Sequence, residues 1–251
     1  MNAHWEAYQA TIEGKKAWIL FNESIARELE QMDLPNLLSV QVEFAPATPD
    51  GLPSRQEEDR LQELESELEN WIAAIGGRYA GQVTISGLRT MFFYVSCGRG
   101  EAENLIRRIA LRKDIELGMK MQADPQNRTY FELLLPTRDE RRRMRDLSLI
   151  AELTVQGDDL QTPRPVTHTA HFANRHQAIA FANWARKNRF IVDGIRSPAK
   201  DGDAFTLLFH KTISPMPESM DADTAAIAHM AGQLGGGYDG WETRLCAARA
   251  G

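Results

Sequence analysis

The sequence holds 251 residues, 43% hydrophobic and 25% charged, with a formal charge of −6, which suits one large or two ordinary globular domains and argues against a general nucleic-acid binder, since phosphate contact demands a concentrated basic surface. Its two cysteines, Cys97 and Cys246, exclude a disulfide framework and a thiolate zinc site. No apolar run approaches the roughly eighteen residues of a membrane span, and Met1-Asn2-Ala3-His4-Trp5-Glu6 lacks the basic-then-apolar pattern of a secretion signal, so a soluble cytoplasmic protein is the expectation.

The chain opens with an alternating segment through Ile12, a turn at Glu13-Gly14-Lys15 and a second segment Ala17 to Phe21, the pattern of a hairpin. After the acidic stretch Asn22 to Asp33, a loop or short helix, comes a strand with strict alternation at Leu38, Val40, Val42 and Phe44. Pro46, Pro49, Gly51 and Pro53 break the chain, and Ser54 with Glu57 reads as a capping box opening a long helix. Leu61, Leu64, Leu68, Trp71, Ile72 and Ile75 give that helix one apolar face, and Gly76-Gly77 end it. Its other face carries Glu57, Glu58, Glu63, Glu65, Glu67 and Glu69, expected in water. Tyr79 to Ile85 and Met91 to Val95 predict a second hairpin about Gly87, Ala102 to Ile109 a shorter helix, and Ile115 to Met121 and Tyr130 to Leu135 extended segments.

Pro136-Thr137-Arg138 closes the first half, and a helix bearing Arg138, Arg141, Arg142, Arg143 and Arg145 follows, with Asp139, Glu140 and Asp146 interleaved. Through Asp146 the chain has 19 basic and 24 acidic residues, and beyond it 10 and 11. Past Asp158-Asp159 and the Pro163 to Pro165 break come strand Val166 to Phe172 and a helix opened by Asn174 and Gln177, which imitate a capping box with amides. Strands Phe190 to Arg196 and Phe205 to Ile213, joined at Asp201-Gly202-Asp203, lead to a helix from Asp221 with Ile227, Met230, Ala231 and Leu234 on one face. Gly235-Gly236-Gly237 stop that helix and feed a last strand. Tyr238 and Trp241, three apart in a strand, are expected on opposite faces.

The order strand-helix-strand-strand-helix-strand therefore occurs twice. The expected fold is α+β, two tandem ferredoxin-like sandwiches with a β-hairpin ahead of the first, divided into residues 1–136 and 137–251.

Tyr238-Asp239-Gly240-Trp241, with the helix and glycines before it, Gly157-Asp158-Asp159-Leu160, the strand carrying His168, His171 and Phe172, and the helix carrying Phe181 and Trp184, resembles the regulator of ribonuclease E activity B family, RraB. That resemblance implies a non-catalytic protein that binds and restrains ribonuclease E or a related RNA-processing enzyme, with Asp158, Asp159, Tyr238, Asp239, Gly240, Trp241 and Glu242 as the partner-binding residues. The first half, through Trp5-Glu6-Ala7-Tyr8, Gly51-Leu52-Pro53-Ser54 and Arg128-Thr129-Tyr130-Phe131, resembles a bacterial family of unknown function, which implies a fold and no activity.

Other chemistry finds little footing. His168, His171, His176, His210 and His229 lie in the second half, yet none has H-E-x-x-H or H-x-H spacing, so no metal or other cofactor is expected. His168 shares a face with Val166, Ala170 and Phe172, where a hydrogen-bonded core histidine is the common outcome. There is no Gly-x-Ser-x-Gly, and the triple glycine is not followed by Gly-Lys-Ser/Thr, which excludes a P-loop. The alternatives are an RNA-binding module using the Arg138 to Arg145 helix and, third, a hydrolase using scattered histidines and carboxylates.

Overall fold

The computed structural model describes residues 4–198, 200 and 204–247 and gathers into two compact units, Met1–Thr137 and Arg138–Gly251. In the first, Glu13 and Gly14 take φ of 50° and 77°, the paired left-handed residues that let a two-residue turn follow the twist of its strands. They join β1 (Trp5–Ile12) to β2 (Lys15–Asn22). A tight 3-10 turn and α1 (Ala26–Gln31) precede β3 (Asn36–Glu43), α2 (Arg55–Ala74), β4 (Arg78–Ile85), β5 (Leu88–Val95), α3 (Arg99–Lys113) and β6 (Gly118–Ala123).

The sheet runs β1-β2-β4-β5-β3-β6 with neighbours antiparallel. Its last four strands are the ferredoxin-like sheet, and the opening hairpin extends it on the β4 side. Leu61, Leu64, Leu68 and Ile72 of α2 and Ala102, Leu105, Ile106 and Ile109 of α3 pack with Val40, Met91 and Phe93 in one core, and each large apolar side chain so buried contributes roughly 1.5–3 kcal/mol.

Three expectations change here. The Ser54 hydroxyl does accept from the Glu57 N–H at 3.2 Å, but the Glu57 carboxylate takes the Arg60 guanidinium instead of closing a capping box. The glutamate face of α2 is only partly solvated. Glu58 holds the buried Arg89 through two oxygens, at 2.6 and 3.2 Å, Glu67 meets Arg112 and Lys113, and burial raises the Glu65 carboxyl above its usual range, partly offset by a hydrogen bond from Tyr79. Finally, Tyr130 to Leu135 is not extended, because residues Thr129–Leu134 form a π-helical turn. The Asp124 carboxylate starts that turn by accepting from the Arg128 and Thr129 N–H groups at 2.8 and 3.0 Å. Burial pushes Asp124 up, but these donors and the Tyr94 hydroxyl outweigh it and hold the carboxyl below its ordinary value. Tyr130 is then fully buried, and its hydroxyl donates to the Asn22 carbonyl at 2.8 Å.

The second unit contains α4 (Arg138–Val155), β7 (Arg164–Phe172), α5 (Arg175–Lys187), β8 (Ile191–Arg196), β9 (Phe205–Ile213), α6 (Pro217–Gln233) and β10 (Gly236–Thr243). Its sheet runs β10-β7-β9-β8, again antiparallel throughout. This is the same strand order as β6-β3-β5-β4, so both units are ferredoxin-like sandwiches. Asn174 and Gln177 cap α5 reciprocally, at 3.0 and 3.3 Å. α6 begins four residues before the expected Asp221, with Pro217 in its first turn, where the missing N–H costs nothing. The expected turn at Asp201-Gly202-Asp203 lies outside the described residues. Both edge strands carry a bulge: the register slips by one at Asp193 in β8 and at Asp239 in β10. Among the described residues no helix is long and apolar enough to cross a membrane.

Each unit has its own sheet, helices and core, so we expect them to be separable domains. Limited proteolysis should cut first near residues 136–138, ahead of α4, and leave two resistant fragments. First cleavage within residues 37–121 would refute the division.

Candidate functional site

The terminal strand β10 is shaped by its glycines. A Cβ on Gly236 would lie 2.3 Å from the Phe172 ring and 2.6 Å from the His171 carbonyl, so only glycine lets the strand start this close to β7. Gly240 sits at φ 130°, beside the bulge. Tyr238 pairs with Ala170 and Trp241 with His168, two residues on one face of β7, so the extra residue Asp239 brings both aromatics to the same side. The expected opposite placement fails because alternation holds only in an unbroken ladder.

On that side Trp241 is 8% exposed and packs with Ile150, Leu153, Val166 and Met220. Its indole N–H donates to Asp146 Oδ1 at 2.9 Å. The other oxygen of Asp146 accepts from Arg142 at 3.0 Å and from the Thr224 hydroxyl at 2.7 Å, and Arg142 also reaches Asp221 at 3.0 Å. A buried carboxylate, guanidinium, hydroxyl and indole thus lock α4, α6 and β10 together. Such a network is stabilising only while every partner is present, since an orphaned buried charge is costly.

Tyr238 points into the neighbouring core cluster. Its hydroxyl lies 2.9 Å from His168 Nδ1. Burial, with Asp146 nearby, pushes the phenol well above its ordinary range, so it stays protonated. His168 is fully buried, stacked on Phe209 and edge-on to Phe190. Burial, with the charge of Lys211, lowers its pKa from 6.5 to about 3. It is the neutral, hydrogen-bonded core histidine anticipated. The remaining histidines are apart: His171 meets Thr206 at 3.1 Å and Asp239 at 3.6 Å, and His210 meets Asp193 at 2.9 Å.

Between α4 and β10 a cleft of about 480 Å³ opens, lined by five of the seven anticipated residues, Tyr238, Asp239, Gly240, Trp241 and Glu242, and by Arg145, Leu149 and Glu152 of α4. Asp239, Glu242 and Glu152 are exposed at its mouth, while the Asp146-Arg142-Trp241 network forms its floor. Asp158 and Asp159 do not line it. The Asp158 side chain is buried and binds Arg164 at 2.5 Å and the Cys246 N–H at 2.8 Å, which ties the turn after α4 to the segment beyond β10. The Asp159 carboxylate accepts from the Thr162 hydroxyl and Gln161 N–H, which lower its pKa.

The arginine cluster is also divided. Arg142 is buried in the network and Arg143 faces Asp221 at 3.6 Å, so two of the five arginines are engaged within the unit, while Arg138 and Arg145 stay exposed. Arg142, Asp146 and Thr224 as a unit escaped the sequence reading, although a signal existed: Asp146 falls three, four and seven residues before Leu149, Ile150 and Leu153, an acidic residue within an apolar stripe.

Fold and cleft define a two-unit α+β protein whose second unit carries a concave cleft, with Asp239, Glu242, Glu152 and Arg145 exposed along it and a buried polar network beneath. Residues 3–135 match the model of a family of unknown function, DUF695, and the chain belongs to that family. Residues 144–243, from within α4 to the last residue of β10, match the model described as Regulator of ribonuclease activity B, so both resemblances read in the sequence are borne out. No curated protein matches the chain. A crystal structure described as that of an unknown protein from Galdieria sulphuraria is similar over 84% of this chain and 99% of its own, with 8% identity and a TM-score of 0.23.

Proposed function

We propose that the protein is a non-catalytic regulator of ribonuclease activity that works in the cytoplasm by binding a protein partner, with ribonuclease E as the candidate enzyme. The observation that carries this reading is the cleft between α4 and β10: five of the seven residues anticipated for partner binding line it above the Asp146 network, with Asp239, Glu242 and Glu152 exposed. A rigid concave anchor ringed by exposed charge is what protein interfaces use, the charge steering encounter and the anchor setting residence time. Asp159, in the turn after α4, would extend the surface past Thr243, while the buried Asp158 holds that turn in place through Arg164 and the Cys246 N–H. The match to a regulator of ribonuclease activity supports the choice of partner class. The RNA reading loses support because Arg142 is consumed internally, and because Phe172, Phe181, Phe190, Phe209 and Tyr238 lie in or against the core rather than on an open stacking face.

Reversing the rim with Asp239→Lys and Glu242→Lys together should slow association with purified ribonuclease E by about tenfold or more and flatten its salt dependence, with little change in melting temperature. Wild-type protein that fails to bind ribonuclease E at any salt concentration, or a double variant that binds like wild type, would overturn the assignment.

A further inference from the structure

The first unit contains a cluster that no spacing rule on the linear sequence flags. We propose that His4, Glu6 and Glu23 form a divalent-metal site of the zinc class at the open end of the β1-β2 hairpin. The register that pairs Trp5 with Asn22 sets His4 directly across from Glu23, and Glu6, two residues from His4, projects from the same side of the strand. The juxtaposition is held by backbone bonds. The Glu23 N–H donates to the His4 carbonyl at 2.8 Å, the His4 N–H donates to the Ser24 hydroxyl at 2.6 Å, and the Asn22 side chain accepts from the Ser24 N–H at 3.0 Å.

The donor atoms converge as a metal would require. One imidazole nitrogen and one oxygen from each carboxylate all lie within 4.8 Å of one another, with His4 Nδ1 at 3.1 Å from Glu23 and 3.8 Å from Glu6. Ligands at about 2.0–2.2 Å from a tetrahedral ion stand roughly 3.3–3.6 Å apart, so the two observed separations bracket that spacing. One imidazole with two carboxylates selects zinc or a similar transition ion over magnesium or calcium, which favour all-oxygen sets. The three side chains are partly exposed, so an ion can enter without unfolding the hairpin, and water completes its coordination. The expectation of no metal rested on the histidines of the second unit; this site uses the sixth, which only strand pairing brings to its partners.

The test is calorimetric titration of zinc chloride into untagged, metal-stripped full-length protein, with magnesium and calcium chlorides as parallel arms. Zinc should bind at one site per chain, and magnesium and calcium far more weakly. His4→Ala and Glu23→Gln should each weaken zinc by more than the ~10–100-fold that loss of an outer-shell partner costs, while His171→Ala leaves it unchanged. The substituted side chains are exposed, and unchanged melting temperatures without metal would confirm that the variants fold. Absence of zinc binding, equal binding by Glu23→Gln, or loss of binding in His171→Ala would overturn the site, leaving His4 as an ordinary ion-pair partner of the two glutamates.

Discussion

Trp241→Ala should melt early. The indole is buried among Ile150, Leu153, Val166 and Met220, and truncating a core tryptophan costs about 3–5 kcal/mol, which for a unit of this size lowers Tm by roughly 10 °C or more. Part of the loss is polar: without the indole N–H, the buried Asp146 side chain loses one of its hydrogen-bond donors. Trp241→Phe separates the contributions, since it retains most of the apolar ring and removes only the hydrogen bond, worth about 1.5–3 kcal/mol to a charged acceptor. Differential scanning calorimetry of both variants reads the result. A Trp241→Ala protein melting within a degree or two of wild type would mean that the side chain is not part of the core. Any loss of partner affinity in that variant is then to be read beside the rim reversal, which leaves the floor intact.

The second large effect is a dependence of stability on pH set by His168. The folded protein holds this imidazole neutral down to about pH 3, whereas the unfolded chain takes up a proton near pH 6.5. Stability from the neutral ring is therefore complete above about 6.5 and drains away as the pH falls towards 3, by roughly 4–5 kcal/mol at completion. Urea unfolding at a series of pH values measures the slope. His168→Asn keeps a polar group near the Nδ1 position facing Tyr238 and removes the titration. Its curve should start lower and fall less steeply between pH 6 and 4, and curves that run parallel to wild type would rule out His168 as the source.

How far the sequence revealed this molecule depends on the range of the interactions involved. Where a neighbouring residue decides the backbone, the reading succeeded: Glu13-Gly14 and Gly87 turn the hairpins, Ser54 and Asn174 start helices, and the alternation in β3 and the apolar stripe of α2 place their faces. Where a distant partner decides it, the reading failed. Tyr130 looked extended because nothing local shows that Asp124 and Tyr94 hold the N–H groups of a tight turn. Arg142 stood only as one of five arginines on a helix because its partners Asp221 and Thr224 are some eighty residues away. Asp239 looked like one step in a regular ladder. His4 and Glu23 meet only through a strand register that the hairpin implies but residue spacing does not. For the site, the residues of β10 were anticipated, while the α4 side of the cleft and its buried floor came only with the fold.

The paired bulges reach beyond the placement of aromatics. Asp193 and Asp239 interrupt the outermost strands of the second sheet, one at each margin, and each offers its carboxylate to a histidine on the adjacent strand. A margin broken by a bulged, charged residue is a poor template for another strand, because the incoming backbone loses its run of evenly spaced donors and acceptors. Both margins of the second sheet are therefore disfavoured as sites of sheet extension. On the proposed reading, the partner would be captured by side chains and the concave cleft rather than by β-augmentation.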